Sequence, residues 1–228
     1  MNVLAFDTCF GACSAAALWN GQLTWRYEEM ATGQAERLVP MIGEVLEESG
    51  ARLPDLDTIA VTEGPGTFTG TRVSVAAARG LALATNLPIR AASSLHVMAR
   101  RAFSELGDVA AGLTLAVCVD ARGGQVFVQL FDPETDEPIT QAAVMAPDAA
   151  AALGASAPLL CVGSGGLTVS EAALKTGRKA EARLPALQPD ARYLAGLAAS
   201  LPIRDPLVPL YLRPPDAKPQ TGKSLPRA

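Results

Sequence analysis

The chain repeats one pattern of strands and glycine turns, and this repeat limits its fold more than any other feature. In residues 3–28 an apolar strand ends at Asp7 and is followed by a glycine turn and a hairpin at Asn20-Gly21. Residues 113–145 follow the same order, with an apolar strand that ends at Asp120. Each unit is followed by helical and strand segments, as in α/β folds. We therefore predict an α/β fold of two topologically similar halves.

The predicted halves meet near Gly107-Asp108, where the first series of strands and helices ends. We assign residues 1–106 to an N-terminal half and residues 107–213 to a C-terminal half. Residues 214–228 are rich in proline, lysine and polar side chains, so we predict a tail that is disordered in the absence of a partner.

The composition is that of a globular chain with a sizeable core. It has 228 residues, of which 49% are hydrophobic and 18% charged. The N-terminus enters a strand directly, and no apolar stretch reaches the roughly 18 residues of a membrane span, so we predict a cytoplasmic protein. The net charge of −4 argues against autonomous nucleic-acid binding, which depends on clustered lysine and arginine. Any contact with RNA is therefore expected to be shared with a more basic partner.

Cysteine and histidine offer little metal or redox chemistry. Cys9, Cys13, Cys118 and Cys161 lack the paired spacing of a zinc site, so we predict four buried side chains that act as small hydrophobic groups. The one histidine, His96, excludes every motif that needs two, such as H-E-x-x-H. We predict no metal site and no catalytic histidine.

Residues 64–72, Gly-Pro-Gly-Thr-Phe-Thr-Gly-Thr-Arg, join a predicted strand over residues 58–63 to a helix that is expected to open at Thr71. Glycines permit positive φ angles and close approach of other backbone atoms. The turn either packs tightly without a ligand or directs the helix N–H groups at an anion. It lacks the lysine of a Walker loop. The turn residues of interest are Gly64, Gly66, Thr69 and Gly70.

A second set of residues suggests a nucleotide or phosphate cleft between the halves. Each half has an aspartate on a turn next to glycines, an arrangement that suits a phosphate and its Mg²⁺. Residues 163–166, Gly-Ser-Gly-Gly, form a second glycine turn, which either cradles adenosine or phosphate or is a plain loop. The candidates for this cleft are Asp7, Gly11, Asp120, Gly163 and Gly165.

Two helices of the N-terminal half are candidates for a partner interface. The first, over residues 35–49, has apolar residues at helical spacing, and the second, over residues 71–85, is apolar or small nearly all round. A helix covered only by its own sheet needs one apolar stripe, so the second side either packs tightly on the sheet or requires another protein. The predicted interface comprises Leu38, Met41, Ile42, Val45, Arg72, Val75, Ala78 and Arg79.

These segments resemble a known family, the bacterial tRNA threonylcarbamoyladenosine biosynthesis proteins TsaB, also called YeaZ. The resemblance spans most of the chain, is densest before residue 130, and is most specific in residues 64–72. The other matching stretches are Leu4-Ala5-Phe6-Asp7-Thr8, Ala12-Cys13-Ser14, Glu36-Arg37-Leu38-Val39-Pro40, Gly80-Leu81-Ala82-Leu83, Ser93-Ser94-Leu95, Asp120-Ala121-Arg122, Gln125-Val126-Phe127 and Tyr211-Leu212-Arg213.

The resemblance implies a fold of the actin, Hsp70 and sugar-kinase (ASKHA) type and a subunit without catalysis of its own. The implied partners are TsaD, a paralogue, and the ATPase TsaE, with tRNA contacted indirectly through the complex and no membrane. That complex transfers threonylcarbamoyl from threonylcarbamoyl-AMP to the adenosine beside the anticodon of ANN-reading tRNAs. The resemblance also implies no cofactor of the subunit's own, ATP or ADP with Mg²⁺ in the complex, and a homodimer when TsaD is absent.

Three positions depart from related proteins. TsaD-like proteins hold a metal with an H-x-x-x-H pair, and Ser94 and Met98 stand at the corresponding places. Neither serine nor methionine is a good ligand for zinc or iron, so the metal chemistry of the paralogue has no residues here. TsaB-like chains often carry histidine where this chain has Gln34. Because an amide does not titrate near neutral pH, the glutamine favours a packing or interface role.

Two other functions remain open. An independent ATP-dependent small-molecule kinase of the same fold would use Asp7, Asp120 and the two glycine turns for a magnesium-phosphate site. A homodimeric binding module would use the same helix face as the predicted interface. A peptidase function is disfavoured, because a metalloprotease without metal ligands cannot polarise the carbonyl of its substrate.

Overall fold

Two five-stranded mixed sheets form the framework of the molecule. The computed structural model describes residues 1–110, 112–154 and 157–213. The tail predicted over residues 214–228 lies outside the described residues. All four cysteines are buried and free, as predicted.

The first sheet comprises β1 (Val3–Asp7), β2 (Ala12–Trp19), β3 (Gln22–Glu29), β4 (Thr58–Thr62) and β5 (Ile89–Ala92). Its strand order is β3-β2-β1-β4-β5. A hairpin at Asn20 and Gly21, which both have positive φ angles, joins β2 to β3, and the first three strands are antiparallel. β4 and β5 run parallel to β1, because each follows a helical crossover.

The second sheet comprises β6 (Thr114–Ala121), β7 (Gln125–Phe131), β8 (Ala143–Met145), β9 (Leu159–Val162) and β10 (Ala180–Arg183). Its strand order, β10-β9-β6-β7-β8, places the first to fifth strands at the same relative positions as in the first sheet. Its first three strands are again antiparallel, and the last two run parallel to the first. The predicted fold of two topologically similar α/β halves is confirmed.

Helices cover both sheets: α1 (Gln34–Ser49), α2 (Phe68–Thr85), α3 (Ser94–Leu106), α4 (Pro147–Ala151), α5 (Gly166–Lys175) and α6 (Ala191–Leu197). α2 begins at Phe68, three residues before the predicted start, because the side chain of Thr67 accepts a hydrogen bond from the Gly70 N–H and caps the helix. Of the helices in the described residues, none is both long and apolar enough to cross a membrane.

Two helices pack across the halves. α1 and α2 cover one face of the first sheet, and α6 covers the other, although α6 follows the second sheet in the chain. α3, which follows the first sheet in the chain, packs on the second sheet through Leu95, Met98 and Ala102. The boundary near Gly107 therefore stays a prediction, since helices from both sides of it are exchanged.

Candidate functional site

The turn from β4 into α2 lies directly against the turn from β1 into β2. A Cβ atom at Gly66 would overlap the carbonyl oxygen of Cys9, and one at Gly70 would overlap that of Thr8. The Thr67 N–H donates to the Cys9 carbonyl oxygen at 2.7 Å. The Thr8 hydroxyl donates to the Gly70 carbonyl oxygen at 2.7 Å. The glycines are therefore needed for close backbone contact, and the chain itself fills the space beside them.

The start of this turn is held by the last described segment of the chain. Gly64 has a φ angle of 108°, in the region that favours glycine, and a Cβ there would press on the Leu210 carbonyl oxygen. The Leu210 N–H donates to the carbonyl oxygen of Glu63 at 2.6 Å. Thr69 is exposed in the first turn of α2. Of the two interpretations of the glycine turn, this geometry supports tight packing without a ligand.

Asp7, the first candidate for a phosphate site, is fully buried. Its Oδ1 accepts hydrogen bonds from the Thr62 hydroxyl and from the Cys9 N–H, the latter at 3.2 Å. Its Oδ2 is buried and has no hydrogen-bond partner among the described residues. Burial raises the pKa of the Asp7 carboxyl to about 6, against the lowering effect of the Thr62 hydrogen bond. The carboxyl group is therefore closed off from a solvated Mg²⁺.

Apolar side chains fill the junction of the two halves next to Asp7. Cys9 and Phe10 leave the first sheet and join the core of the second, where the ring centres of Phe10 and Phe127 lie 6.3 Å apart. The N–H of Gly11, another residue of the predicted cleft, donates to the side-chain oxygen of Gln188 at 2.9 Å. The chain's own side chains thus occupy this end of the predicted cleft.

The second glycine turn repeats the arrangement of the first. A Cβ at Gly163 would press on the Cys118 carbonyl oxygen, which accepts a hydrogen bond from the Gly165 N–H at 3.0 Å. The Asp120 N–H donates to the Ser164 hydroxyl at 2.9 Å, and Asp120 is exposed. The cleft prediction therefore needs correction, because one aspartate is buried and backbone fills both turns. These residues do not fit a nucleotide with Mg²⁺.

Two surface cavities lie away from these residues. One of about 500 Å³ has Arg100 and Tyr193 in its lining, and one of about 450 Å³ lies beside residues 203–210. Neither cavity is lined by Asp7 or Asp120. Within the described part of the chain, no group of three or more His, Cys, Asp or Glu side chains is arranged to hold a metal ion.

Six of the eight residues predicted for the partner interface are buried in the chain's own core. They lie on the inner sides of α1 and α2, because the most apolar stripe of a helix is covered first by its own sheet. The prediction is wrong for these six, and only Arg72 and Arg79 of the predicted set are exposed. The buried six are Leu38, Met41, Ile42, Val45, Val75 and Ala78.

The opposite sides of α1 and α2 form an exposed, mainly apolar surface, which we call the outer face. Leu83 is 85% exposed, Val39 is 66% exposed and Phe68 is 52% exposed. Apart from the helix backbone itself, no described atom lies within 4 Å of a Cβ built at Gly43 or Gly80, so another backbone has room to approach. The outer face comprises Ala35, Val39, Pro40 and Gly43 of α1, and Phe68, Arg72, Ala76, Arg79, Gly80 and Leu83 of α2.

The sequence analysis missed most of the outer face because it assigned the interface to the larger apolar residues. A signal for the missed residues is present in α2, where Phe68, Arg72, Ala76, Arg79 and Leu83 recur at spacings of three and four. These positions form a stripe on the side of the helix opposite the buried one. Ala76 on this stripe and Gly80 beside it are small, so they leave room for the close approach of another helix.

Gln34 ties the start of α1 to the junction of the halves. Its side-chain amide donates to the carbonyl oxygen of Met30 at 3.0 Å and to that of Phe10 at 3.3 Å. One amide nitrogen has two hydrogens, so it satisfies both carbonyl groups at once. These contacts are those of a packing residue.

Two halves with one strand order, exchanged helices and equivalent glycine turns define a two-lobed α/β protein. A family model described as TsaD, tRNA N6-adenosine threonylcarbamoyltransferase, matches residues 28–200. The solved structure of YeaZ from Pseudomonas aeruginosa is similar, with a TM-score of 0.79 and 30% sequence identity over 92% of this chain and 99% of that one. The chain belongs to the TsaD family, and within it to the TsaB/YeaZ proteins.

Curated TsaB proteins match a shorter stretch. The tRNA threonylcarbamoyladenosine biosynthesis protein TsaB of Escherichia coli is 38% identical over 128 residues, which are 56% of this chain and 53% of that protein. TsaB of Haemophilus influenzae is 37% identical over 56% of this chain and 52% of that protein. The chain thus spans about half the length of the curated TsaB relatives it matches.

Proposed function

We propose that this chain is a non-catalytic partner subunit in the synthesis of threonylcarbamoyladenosine in tRNA, and that it acts in the cytoplasm. In this proposal a TsaD-type subunit, with the ATPase TsaE, transfers threonylcarbamoyl from threonylcarbamoyl-AMP to the adenosine beside the anticodon of ANN-reading tRNAs. The present chain docks on TsaD and orders its active site. It contacts tRNA only through the complex.

The outer face is the observation that carries this proposal. It places exposed apolar side chains beside two glycines on neighbouring helices, so that a helix pair of a partner can pack closely against it. A paralogue with the same fold would present an equivalent helix pair, and the two pairs would form a four-helix bundle. The same face would pair with a second copy of this chain when TsaD is absent.

The closed junction of the halves supports a role without catalysis. Asp7 is buried, and Cys9 and Phe10, which follow it in the chain, pack into the core of the second sheet. We therefore assign ATP or ADP with Mg²⁺ to the other subunits of the complex, and no cofactor to this one. A kinase of the same fold would need this junction open.

An omission assay tests the proposal. tRNA, threonylcarbamoyl-AMP, and the TsaD and TsaE subunits of the same organism are incubated with and without this chain, and modified adenosine is measured by mass spectrometry of nucleosides. We expect modification only when the chain is present. Equal modification without it contradicts the proposal, as does ATP-dependent phosphotransfer to a small molecule by the isolated chain.

A further inference from the structure

Arg72 of the outer face contacts two aromatic side chains, and we call Phe68, Arg72 and Tyr211 the aromatic clamp. The guanidinium carbon of Arg72 lies 3.6 Å from the centre of the Phe68 ring. Its Nε donates to the Tyr211 hydroxyl at 2.8 Å. The two rings lie 5.8 Å apart at an interplanar angle of 26°, and the guanidinium carbon lies 5.9 Å from the Tyr211 ring centre, so the guanidinium group lies over Phe68 and beside Tyr211.

The clamp leaves the charged end of Arg72 without an acidic partner inside the described structure. Only its Nε takes part in a hydrogen bond there, and no ion pair includes it. α2 contains no acidic residue, and nearby Glu63 pairs with Arg204 at 3.2 Å. By contrast, Arg37 is held by two glutamates, at 2.6 and 2.7 Å. The two terminal nitrogens of Arg72 therefore form a fixed fork, and their N–H groups make no hydrogen bond to other described residues.

We propose that this fork receives the carboxylate of an acidic side chain of the TsaD-type subunit that docks on the outer face. An arginine fork matches a carboxylate with two parallel hydrogen bonds. Because Phe68 and Tyr211 already hold the guanidinium group, little side-chain freedom is lost when the carboxylate binds. This inference rests on the proposed function and names the chemistry of its docking contact.

A protein carboxylate suits this place better than an RNA phosphate. Beyond Arg72 the outer face of α2 continues through Ala76, Gly80 and Leu83, which are small or apolar and match a helix, and it has one further basic residue, Arg79. The neighbouring helix α1 exposes Glu36 and Glu47, which would repel RNA. The chain as a whole carries a net charge of −4.

Tyr211 is a positioning residue in this arrangement, because it acts through Arg72. It lies 139 positions along the chain from Arg72, and the segment that leads to it is anchored at Leu207 and Leu210. Leu207 is buried in the core of the first half, and the Leu210 N–H donates a hydrogen bond to the carbonyl oxygen of Glu63. The hydroxyl of Tyr211 therefore stands at a fixed place and orients the fork.

The experiment measures the affinity of the TsaD subunit from the same organism for five variants of the full chain, one of them a double variant. We expect Arg72→Met to weaken binding about tenfold or more, and Arg72→Lys to weaken it nearly as much, because lysine keeps the charge and loses the fork. Tyr211→Phe should weaken binding about threefold and have no further effect in the Arg72→Met background. Arg183→Met is the control, because Arg183 is exposed on β10 of the second sheet and lies outside the outer face, and it should stay within about twofold. Thermal unfolding of each variant checks that it is folded.

Several outcomes would overturn the inference. An affinity of Arg72→Met within twofold of the wild type would do so, and so would an equal loss in Arg183→Met or additive effects of Arg72→Met and Tyr211→Phe. If Arg72→Met keeps its affinity for TsaD while the assembled complex loses affinity for tRNA, the fork binds phosphate and the carboxylate assignment is wrong. If the wild-type chain itself does not bind TsaD, the proposed function fails first and the inference fails with it.

Discussion

Thr8 and Gly70, 62 positions apart in the chain, are joined by a hydrogen bond of 2.7 Å from the hydroxyl group of one to the carbonyl oxygen of the other. The same hydroxyl lies 2.8 Å from that of Ser74, one turn further along α2. The turn after β1 and the first turns of α2 are thus one packed unit. The outer face begins on this unit, so its orientation is set by contacts at the centre of the molecule.

A methyl group at Gly70 should damage this unit. In Gly70→Ala the new Cβ overlaps the Thr8 carbonyl oxygen, and we expect a loss of about 3 kcal/mol or more in the free energy of unfolding. Gly80→Ala is the control on the same helix, where nothing outside the helix backbone lies within 4 Å of the new atom, and it should gain up to about 1 kcal/mol. Urea denaturation measures both. Equal stabilities of the two variants would show that the close contact is not needed.

A charge on the outer face should separate docking from folding. Leu83→Glu places a carboxylate on an 85% exposed position, so we expect an unchanged melting temperature. We expect its affinity for TsaD to fall by about tenfold or more. Ala78→Glu, on the buried side of the same helix, should fail to fold, because it places an unpaired charge in the core. Calorimetry and size-exclusion chromatography of the two variants test this. Full affinity of Leu83→Glu would exclude the outer face as the docking surface.

Asp7 should lower the stability of the protein as the pH rises. Its pKa is raised from 3.8 to about 6 by burial, so the folded state holds the proton more tightly than the unfolded state. The cost of ionising Asp7 is absent below about pH 4, grows between the two pKa values and is complete above about pH 6. Relative to Asp7→Asn, the wild type should therefore be about 2 to 3 kcal/mol less stable at pH 7.5 than at pH 4. The measurement is urea denaturation of both proteins across this pH range, and a stability difference that does not change with pH would contradict it.

Gln34 should contribute through its two donated hydrogen bonds. Gln34→Met keeps the length of the side chain and leaves the carbonyl groups of Phe10 and Met30 without that donor, so we expect a loss of about 1 to 2 kcal/mol in the free energy of unfolding. The same substitution at exposed Gln22 of β3 is the control, with an expected change within about 0.5 kcal/mol. Chemical denaturation of both variants provides the comparison. A Gln34→Met protein as stable as the Gln22 variant would mean that these bonds add nothing net.

The sequence predicts the architecture well because the repeat consists of local features. Each half shows a strand that ends in aspartate, a glycine turn and a hairpin, and these features depend on neighbours in the chain. The hairpin at Asn20-Gly21 is an example, since both residues adopt the positive φ angles that such a turn needs. The order of the strands then follows from short connections and parallel crossovers.

The candidate site was predicted less well, because it depends on which side of a helix is covered. Periodicity in α1 identifies Leu38, Met41 and Val45 as a stripe but does not say whether a sheet or a partner lies over it. α2 is harder still, since both of its sides are apolar or small. The stack of Tyr211 on Phe68 joins segments far apart in sequence, and no local pattern reports such a contact.

The exchange of α3 and α6 makes the two halves units of architecture but not units of folding. If the chain were cut near Gly107, the first fragment would keep its sheet and lose α6, and the second would keep its sheet and lose α3, so each would expose a bare apolar sheet face. The two halves of one molecule thus exchange a helix with each other. Neither half can complete its core without a helix from the other, so we expect the outer face to be stable only when both halves are present in one chain.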